Sequence, residues 1–237
     1  MAGVTILLLH AFPLDSRMWG PLRSALEEAG HPVAAPNLAD ETSSLGVENW
    51  ARRVLADVEG DLVPVGCSMG GYLAFELWRQ ARARIHALAL LDTRATPDTP
   101  EQRQARDDSI RILGEDGFDP FWEATGPRLF AAGTPTEVVE QARALAADQP
   151  ITGLVAALET LRDRPDSRPT LATVDVPVLV LVGEEDALTP PPDAEAMAAA
   201  LSDARFLTIP GAGHLAALER PREVGDALLH FIEDVVR

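Results

Sequence analysis

Two hydrophobic rhythms alternate through the first ninety or so residues. Val4 to His10 (VTILLLH), Val33 to Pro36, Leu62 to Cys67 (LVPVGC) and Ile85 to Leu91 (IHALALL) are short, nearly charge-free runs of strand length. Unbroken apolar runs of this kind suit strands covered on both faces. Between them the period lengthens to that of an amphipathic helix. Pro21 to Ala29 reads as a helix closed by Gly30 in the place of a left-handed cap. Val47 to Glu59 gathers Val47, Trp50, Ala51, Val54, Leu55 and Val58 on one side, and Gly70 to Ala83 does the same with Leu73, Ala74, Leu77 and Trp78. Both rhythms return late in the chain. Val176 to Gly183 (VPVLVLVG) and Arg205 to Ile209 are predicted strands, and Pro191 to Leu201 and Arg220 to Val236 predicted helices.

Residues 94–170 interrupt the alternation. They are charged and helical in spacing, are broken at Gly114, Pro120, Gly126, Gly133, Pro150 and Pro165, and predict about four short helices with no strand. Strands separated by helices require crossovers, hence a mostly parallel sheet with helices on both faces. The expected class is therefore α/β. Residues 1–93 and 171–237 form its core, and 94–170 form an inserted helical cap over one edge of the sheet.

Composition narrows the picture. The chain has 237 residues, 46% hydrophobic and 24% charged, which is globular and excludes a disordered or coiled-coil protein. No apolar run approaches the roughly 18 to 20 residues of a membrane span, and Val4 to Leu9 is too short and lacks a preceding base for a signal peptide. A net charge of −17 repels nucleic acid and anionic membranes, so neither is an expected partner. A single cysteine, Cys67, excludes a disulfide framework and a cysteine-rich metal site and points to a reducing, cytoplasmic setting. All 20 basic residues are arginine, which removes lysine-based Schiff-base and P-loop chemistry.

The strongest chemical signal is Gly66-Cys67-Ser68-Met69-Gly70-Gly71, set between an apolar strand and a helix. A G-x-S-x-G turn in that context lifts a serine hydroxyl above the sheet, with the helix N-terminus behind it to favour developing negative charge. Serine needs a base. His214, in Gly211-Ala212-Gly213-His214, follows the last strand, where a loop reaches the ligand crevice of such sheets. His31, His86 and His230 fit structural or solvated roles better, His86 within an apparently buried strand. The base needs an acid. Asp186 follows the strand Val176 to Gly183 and gives the chain order Ser68, Asp186, His214; Glu184, Glu185 and Asp92 are alternatives. An oxyanion needs two N–H donors. Met69 offers one, and Phe12 the other, since Pro13 has none. Phe12–Pro13 is a candidate cis bond. His10, Trp19, Phe121 and Trp122 are candidates for the substrate wall and equally for the core, as are Met18, Phe118 and Phe130. Cys67 fits a buried filler. Arg94, Arg103, Arg106, Arg111 and Arg128 face either solvent or a substrate carboxylate.

Four segments, HAFPLDSRMW (His10 to Trp19), GCSMGGYLAFEL (Gly66 to Leu77), GEEDALTPP (Gly183 to Pro191) and GAGHLAALERP (Gly211 to Pro221), occur in an order that resembles the α/β-hydrolase family over nearly the whole chain. The nearest flavour resembles the branch of 3-oxoadipate enol-lactonases and small carboxylesterases. The resemblance implies Ser68 as nucleophile, Asp186 as acid, His214 as base, Phe12 and Met69 as oxyanion donors, a helical cap and no cofactor. Two departures stand out. Only Met1 to Gly3 precede the first strand, so the family's opening antiparallel hairpin is expected to be missing. That leaves about six parallel strands in the order 4-3-5-6-7-8 by family labels. Ala11 stands where the family commonly has glycine, and its methyl is expected to narrow the approach to the oxyanion hole. Ser68 argues against dehalogenases and epoxide hydrolases, which carry aspartate there. The expected activity is cleavage of an ester, lactone or thioester of a small molecule. The same triad also serves perhydrolases, carbon–carbon hydrolases and lyases, and a triad-bearing ligand-binding or signalling protein is a reading from another class.

Overall fold

The computed structural model describes residues 3–38 and 46–236. Its strands are β1 (Thr5–Leu9), β2 (Val33–Ala34), β3 (Leu62–Cys67), β4 (Leu88–Leu91), β5 (Val178–Gly183) and β6 (Ala204–Ile209). Its helices are α1 (Gly20–Glu28), α2 (Val47–Asp57), α3 (Met69–Ala81), α4 (Pro100–Glu115), α5 (Phe118–Thr125), α6 (Thr136–Ala147), α7 (Ile151–Asp163), α8 (Arg168–Leu171), α9 (Pro191–Ala199), α10 (Ala216–Glu219) and α11 (Pro221–Val235). Short 3₁₀ turns lie at Ser16–Trp19, Arg82–Arg84 and Gly126–Leu129.

Six strands form one sheet in the order β2-β1-β3-β4-β5-β6, and every pairing is parallel. That is the order expected from the sequence, and no antiparallel pair occurs among the described residues. Met1 and Ala2, part of the short stretch ahead of the first strand, lie outside the described residues. Alternation along each strand sends side chains to opposite faces. Ile6, Leu8, Val63, Val65, Ala89, Leu91, Leu179 and Leu181 pack with α1 and α11 residues such as Leu22, Leu228 and Phe231. Leu7, Leu9, Leu62, Leu88, Leu90, Val178, Val180 and Val182 pack with Trp50, Leu73 and Met197 of α2, α3 and α9.

β4 is shorter than the apolar run predicts. Its ladder with β5 begins at Leu88 opposite Val178. His86 therefore lies outside the strand, its side chain 44% exposed beside Asp61, which corrects the expectation of burial. Hydrophobicity alone does not mark where pairing starts. Gly30 closes α1 with φ +87°, in the left-handed region that glycine tolerates.

Between β4 and β5 the chain builds α4 to α8. α4 starts at a capping box, Thr99 with Gln102, and Pro100 occupies its first turn. Leu113, Phe121, Leu154 and Leu158 form a small separate cluster joining α4, α5 and α7. Among the described residues no helix is long and apolar enough to cross a membrane.

Candidate active site

Ser68 stands between β3 and α3 with φ +50° and ψ −108°. A non-glycine residue there is strained and persists only where its surroundings hold it. Its N–H donates to Leu91 O (2.8 Å), and its own carbonyl accepts from Thr93 Oγ1 (2.9 Å) and the Gly71 N–H (2.9 Å). The turn closes so tightly that a Cβ on Gly70 would meet Leu9 O at 2.0 Å. Glycine is thus dictated here by backbone contact. Ser68 lies at the N-terminus of α3, where the helix dipole favours negative charge.

His214 comes from the loop after β6. Its Nε2 lies 2.8 Å from Ser68 Oγ, and its Nδ1 lies 2.8 Å from Asp186 Oδ2. An ionised carboxylate only accepts, so the Nδ1 proton faces Asp186 and Nε2 is left to accept from the serine. Asp186 Oδ1 accepts from the N–H groups of Leu188 (2.8 Å) and Thr189 (2.9 Å), and Oδ2 from Thr189 Oγ1 (2.6 Å). Burial works to raise the Asp186 pKa. The neighbouring His214 and these hydrogen bonds outweigh it and hold the carboxyl below its ordinary value.

The alternative acids lie elsewhere. Glu184 and Glu185 are exposed and accept from the N–H groups of Gly211 and Ala132. Asp92 is fully buried and accepts from the N–H groups of Gly183 (2.9 Å) and Ala216 (3.1 Å). Burial, reinforced by the charge on Asp186, pushes its carboxyl well above the usual range. Burial likewise raises the Cys67 thiol, which packs under the turn.

Two positioning residues escaped the sequence reading. Thr189 donates to Asp186, and its Oγ1 lies 3.2 Å from His214 Nδ1. The D-x-x-T spacing was its only signal. Glu219 accepts from the N–H groups of Gly213 (2.9 Å) and Leu215 (3.3 Å), which flank His214, and from the Ala131 N–H (2.9 Å) and Thr134 Oγ1. One carboxylate thereby ties the histidine loop to the segment after α5.

Phe12 and Met69 are brought to the mouth of the turn by β1 and α3. Their backbone N–H groups have no acceptor among the described residues. The Phe12–Pro13 bond is cis. Ala11 is fully buried and its N–H donates to Met18 Sδ (3.2 Å), so its methyl joins the core and is not part of the cavity wall.

His10 is buried in the same loop. Its Nδ1 lies 3.1 Å from Ala11 O, and its Nε2 accepts from the Leu38 N–H (2.9 Å). Burial lowers its pKa from 6.5 to about 4. Above pH 6.5 the ring is neutral whether folded or unfolded. As the pH falls from 6.5 toward 4, the unfolded chain takes up a proton that the folded chain refuses, so stability is lost. A shift of that size corresponds to about 3 kcal/mol. Urea titrations between pH 7 and 4 should show a decline that is smaller by about this amount in His10→Gln. Equal slopes in the two proteins would contradict the assignment.

A cavity of about 210 Å³ includes Ser68, His214, Thr189 and Phe12 in its wall. α4 contributes Gln102, Ala105, Arg106 and Ser109, α5 contributes Phe121, and α7 contributes Leu158 and Leu161. Of the other side chains singled out for the wall, His10, Trp19 and Trp122 lie outside it. Met18 and Trp19 are core. Trp122 stacks on Phe118 with ring centroids 6.0 Å apart and tilts against Phe130. Neighbours on a helix point about 100° apart, which is why Phe121 and Trp122 part company.

Residues 6–227 match the model of the alpha/beta hydrolase family, and the chain belongs to that family. Within it the chain is an enzyme of the esterase type. It is 31% identical to the pimeloyl-[acyl-carrier protein] methyl ester esterase of Aromatoleum aromaticum over 98% of each chain. It superposes on the malate-bound thermophilic esterase of Thermogutta terrifontis with a TM-score of 0.93 and 34% identity, covering 99% of this chain and 91% of the other. The enol-lactonase of Burkholderia xenovorans LB400 shares the fold, with a TM-score of 0.85 and 22% identity over 98% and 92% of the two chains.

Proposed function

We propose that Ser68, His214 and Asp186 form a catalytic triad that hydrolyses a carboxylic ester, lactone or thioester of a small molecule through an acyl-enzyme. The observation that carries this reading is the pair of 2.8 Å contacts joining Ser68 Oγ to His214 Nε2 and His214 Nδ1 to Asp186 Oδ2. Ser68 Oγ attacks the carbonyl carbon while Nε2 takes its proton. Charge moves onto the carbonyl oxygen, toward the free N–H groups of Phe12 and Met69, each worth about 3 kcal/mol in such a role. His214 then protonates the leaving oxygen or sulfur, and the acyl group stays on Ser68. Water, deprotonated by His214, attacks the acyl carbonyl, and the acid leaves as His214 returns the proton to Ser68 Oγ.

Asp186 stays ionised throughout, holds the ring in one tautomer and stabilises the imidazolium. Residues 94–170 act as a cap, with α4, α5 and α7 shielding the acyl chain from bulk water. The single buried thiol agrees with a cytoplasmic setting. The test is turnover of p-nitrophenyl esters of graded chain length. The wild-type protein should release p-nitrophenol from the short ones well above the enzyme-free rate, and no release from any of them would defeat the reading.

A further inference from the structure

The cavity wall runs against the charge of the chain. Asp and Glu number 37 in the sequence against 20 Lys and Arg. Yet the described cavity wall contains Arg94, Arg106 and Arg128 and no carboxylate. The acid that Arg94 and Arg106 share lies behind them. Asp98 has a fully buried side chain, with Arg94 Nη2 (3.1 Å) and Arg164 Nη1 (2.7 Å) on Oδ1 and Arg106 Nε (3.2 Å) on Oδ2. Three guanidiniums therefore share one carboxylate. The next acid on Arg94 is Asp193, 3.9 Å away and 42% exposed, a distance and exposure that leave it largely screened.

A purely architectural ion cluster calls for balanced charge, because an uncompensated buried charge is costly. This cluster is unbalanced, and although Arg164 spends its terminal nitrogens on Leu161 O and Thr96 O, other donors at the wall are unspent. Arg128, exposed and outside the cluster, makes no hydrogen bond or ion pair among the described residues. Among the described residues Arg106 engages only its Nε and keeps both terminal nitrogens free. Arg94 Nε is buried without a partner. Phe12, Phe121, Leu129, Leu158 and Leu161 give the wall an apolar side that accommodates a hydrocarbon chain.

We infer that this wall is an anion subsite, and that the substrate is an ester or lactone whose far end carries a carboxylate. The inference rests on the hydrolase reading of Ser68. Arg106 and Arg128 hold the carboxylate, since a guanidinium presents two parallel N–H donors that match its planar oxygens. Asp98, with Arg94 and Arg164 behind it, fixes Arg106 before substrate arrives. The apolar wall covers the carbons between carboxylate and reacting carbonyl. In an acidic chain this patch also concentrates an anion that the remaining surface repels.

The experiment compares p-nitrophenyl glutarate with p-nitrophenyl valerate, its neutral analogue of equal carbon count, after subtraction of the enzyme-free rates. The wild type should favour the glutarate ester at least tenfold in kcat/KM. Arg106→Gln and Arg128→Gln should each lower that ratio at least about fivefold, and the double variant should bring it close to one. Free glutarate should bind Ser68→Ala by calorimetry and lose at least tenfold in affinity when both arginines are replaced. Valerate turnover with no preference and no arginine-dependent binding would overturn the subsite and leave the hydrolase reading intact. Arginine-dependent glutarate binding with neither ester turned over would do the reverse. Preference for a phosphonate-ended ester over the glutarate would overturn the carboxylate assignment.

Discussion

Ser68→Ala is expected to lower kcat for a short p-nitrophenyl ester by at least about a thousandfold, and as much as about a millionfold. The lower figure is about 4 kcal/mol of lost transition-state stabilisation. The variant keeps the cavity and the two backbone donors, so substrate binding and part of the oxyanion stabilisation survive. What disappears is the covalent path. The 2.8 Å contact to His214 Nε2 has no oxygen left to serve. Because serine and histidine act as one unit, His214→Ala should cost about as much, and the double variant little more than either. Replacement of the hydroxyl also removes no backbone contact, since the hydrogen bonds that hold the strained turn run from the Ser68 N–H and to its carbonyl. Folding should therefore be preserved, and a loss of turnover can be assigned to chemistry.

Asp186→Asn should lower kcat by about ten-thousandfold. An amide at that position turns an NH₂ or a single carbonyl toward His214 Nδ1. The ring then loses both the charge that steadies its protonated form and the partner that fixes its tautomer. Asp92→Asn is the informative control. Asp92 accepts from the Gly183 and Ala216 N–H groups, and burial raises its pKa well above the carboxylate range. Asp92 hydrogen-bonds neither Ser68 nor His214, and an amide keeps an acceptor for one of those N–H groups, so kcat should fall by less than about tenfold. Steady-state kinetics on the two variants separates the acids. A larger loss from Asp92→Asn than from Asp186→Asn would hand the role to Asp92.

Much of this was legible in the sequence where the information is local. Apolar runs and helical spacing carried the alternation of strands and helices, because the inner strands β1, β3, β4 and β5 are covered on both faces and so show no polar interruption; the spatial order of the strands came from the family resemblance. The turn at Ser68 could be read because glycine spacing, the preceding strand and the following helix are all contiguous. Legibility failed where partners come from distant parts of the chain. Glu219 sits five residues past His214 within an Ala- and Leu-rich stretch, and nothing there shows that it reaches Ala131 and Thr134. His86 belongs to an apolar run, yet pairing with β5 starts two residues later. The arginines of residues 94–170 look alike in sequence. Arg103 pairs with Asp163 and Arg111 with Glu115 on the outside, whereas Arg94, Arg106 and Arg128 line the cavity. On α4 that division is set by how the helix packs on α5 and α7, and helical periodicity carries only half of it.

The most direct measurement of the central claim is the mass of the protein after reaction with a fluorophosphonate, followed by peptide mapping. A phosphonyl group should add once, on Ser68, at a rate that collapses in His214→Ala. Labelling of any other residue, or none on a wild-type protein that turns over esters, would contradict it.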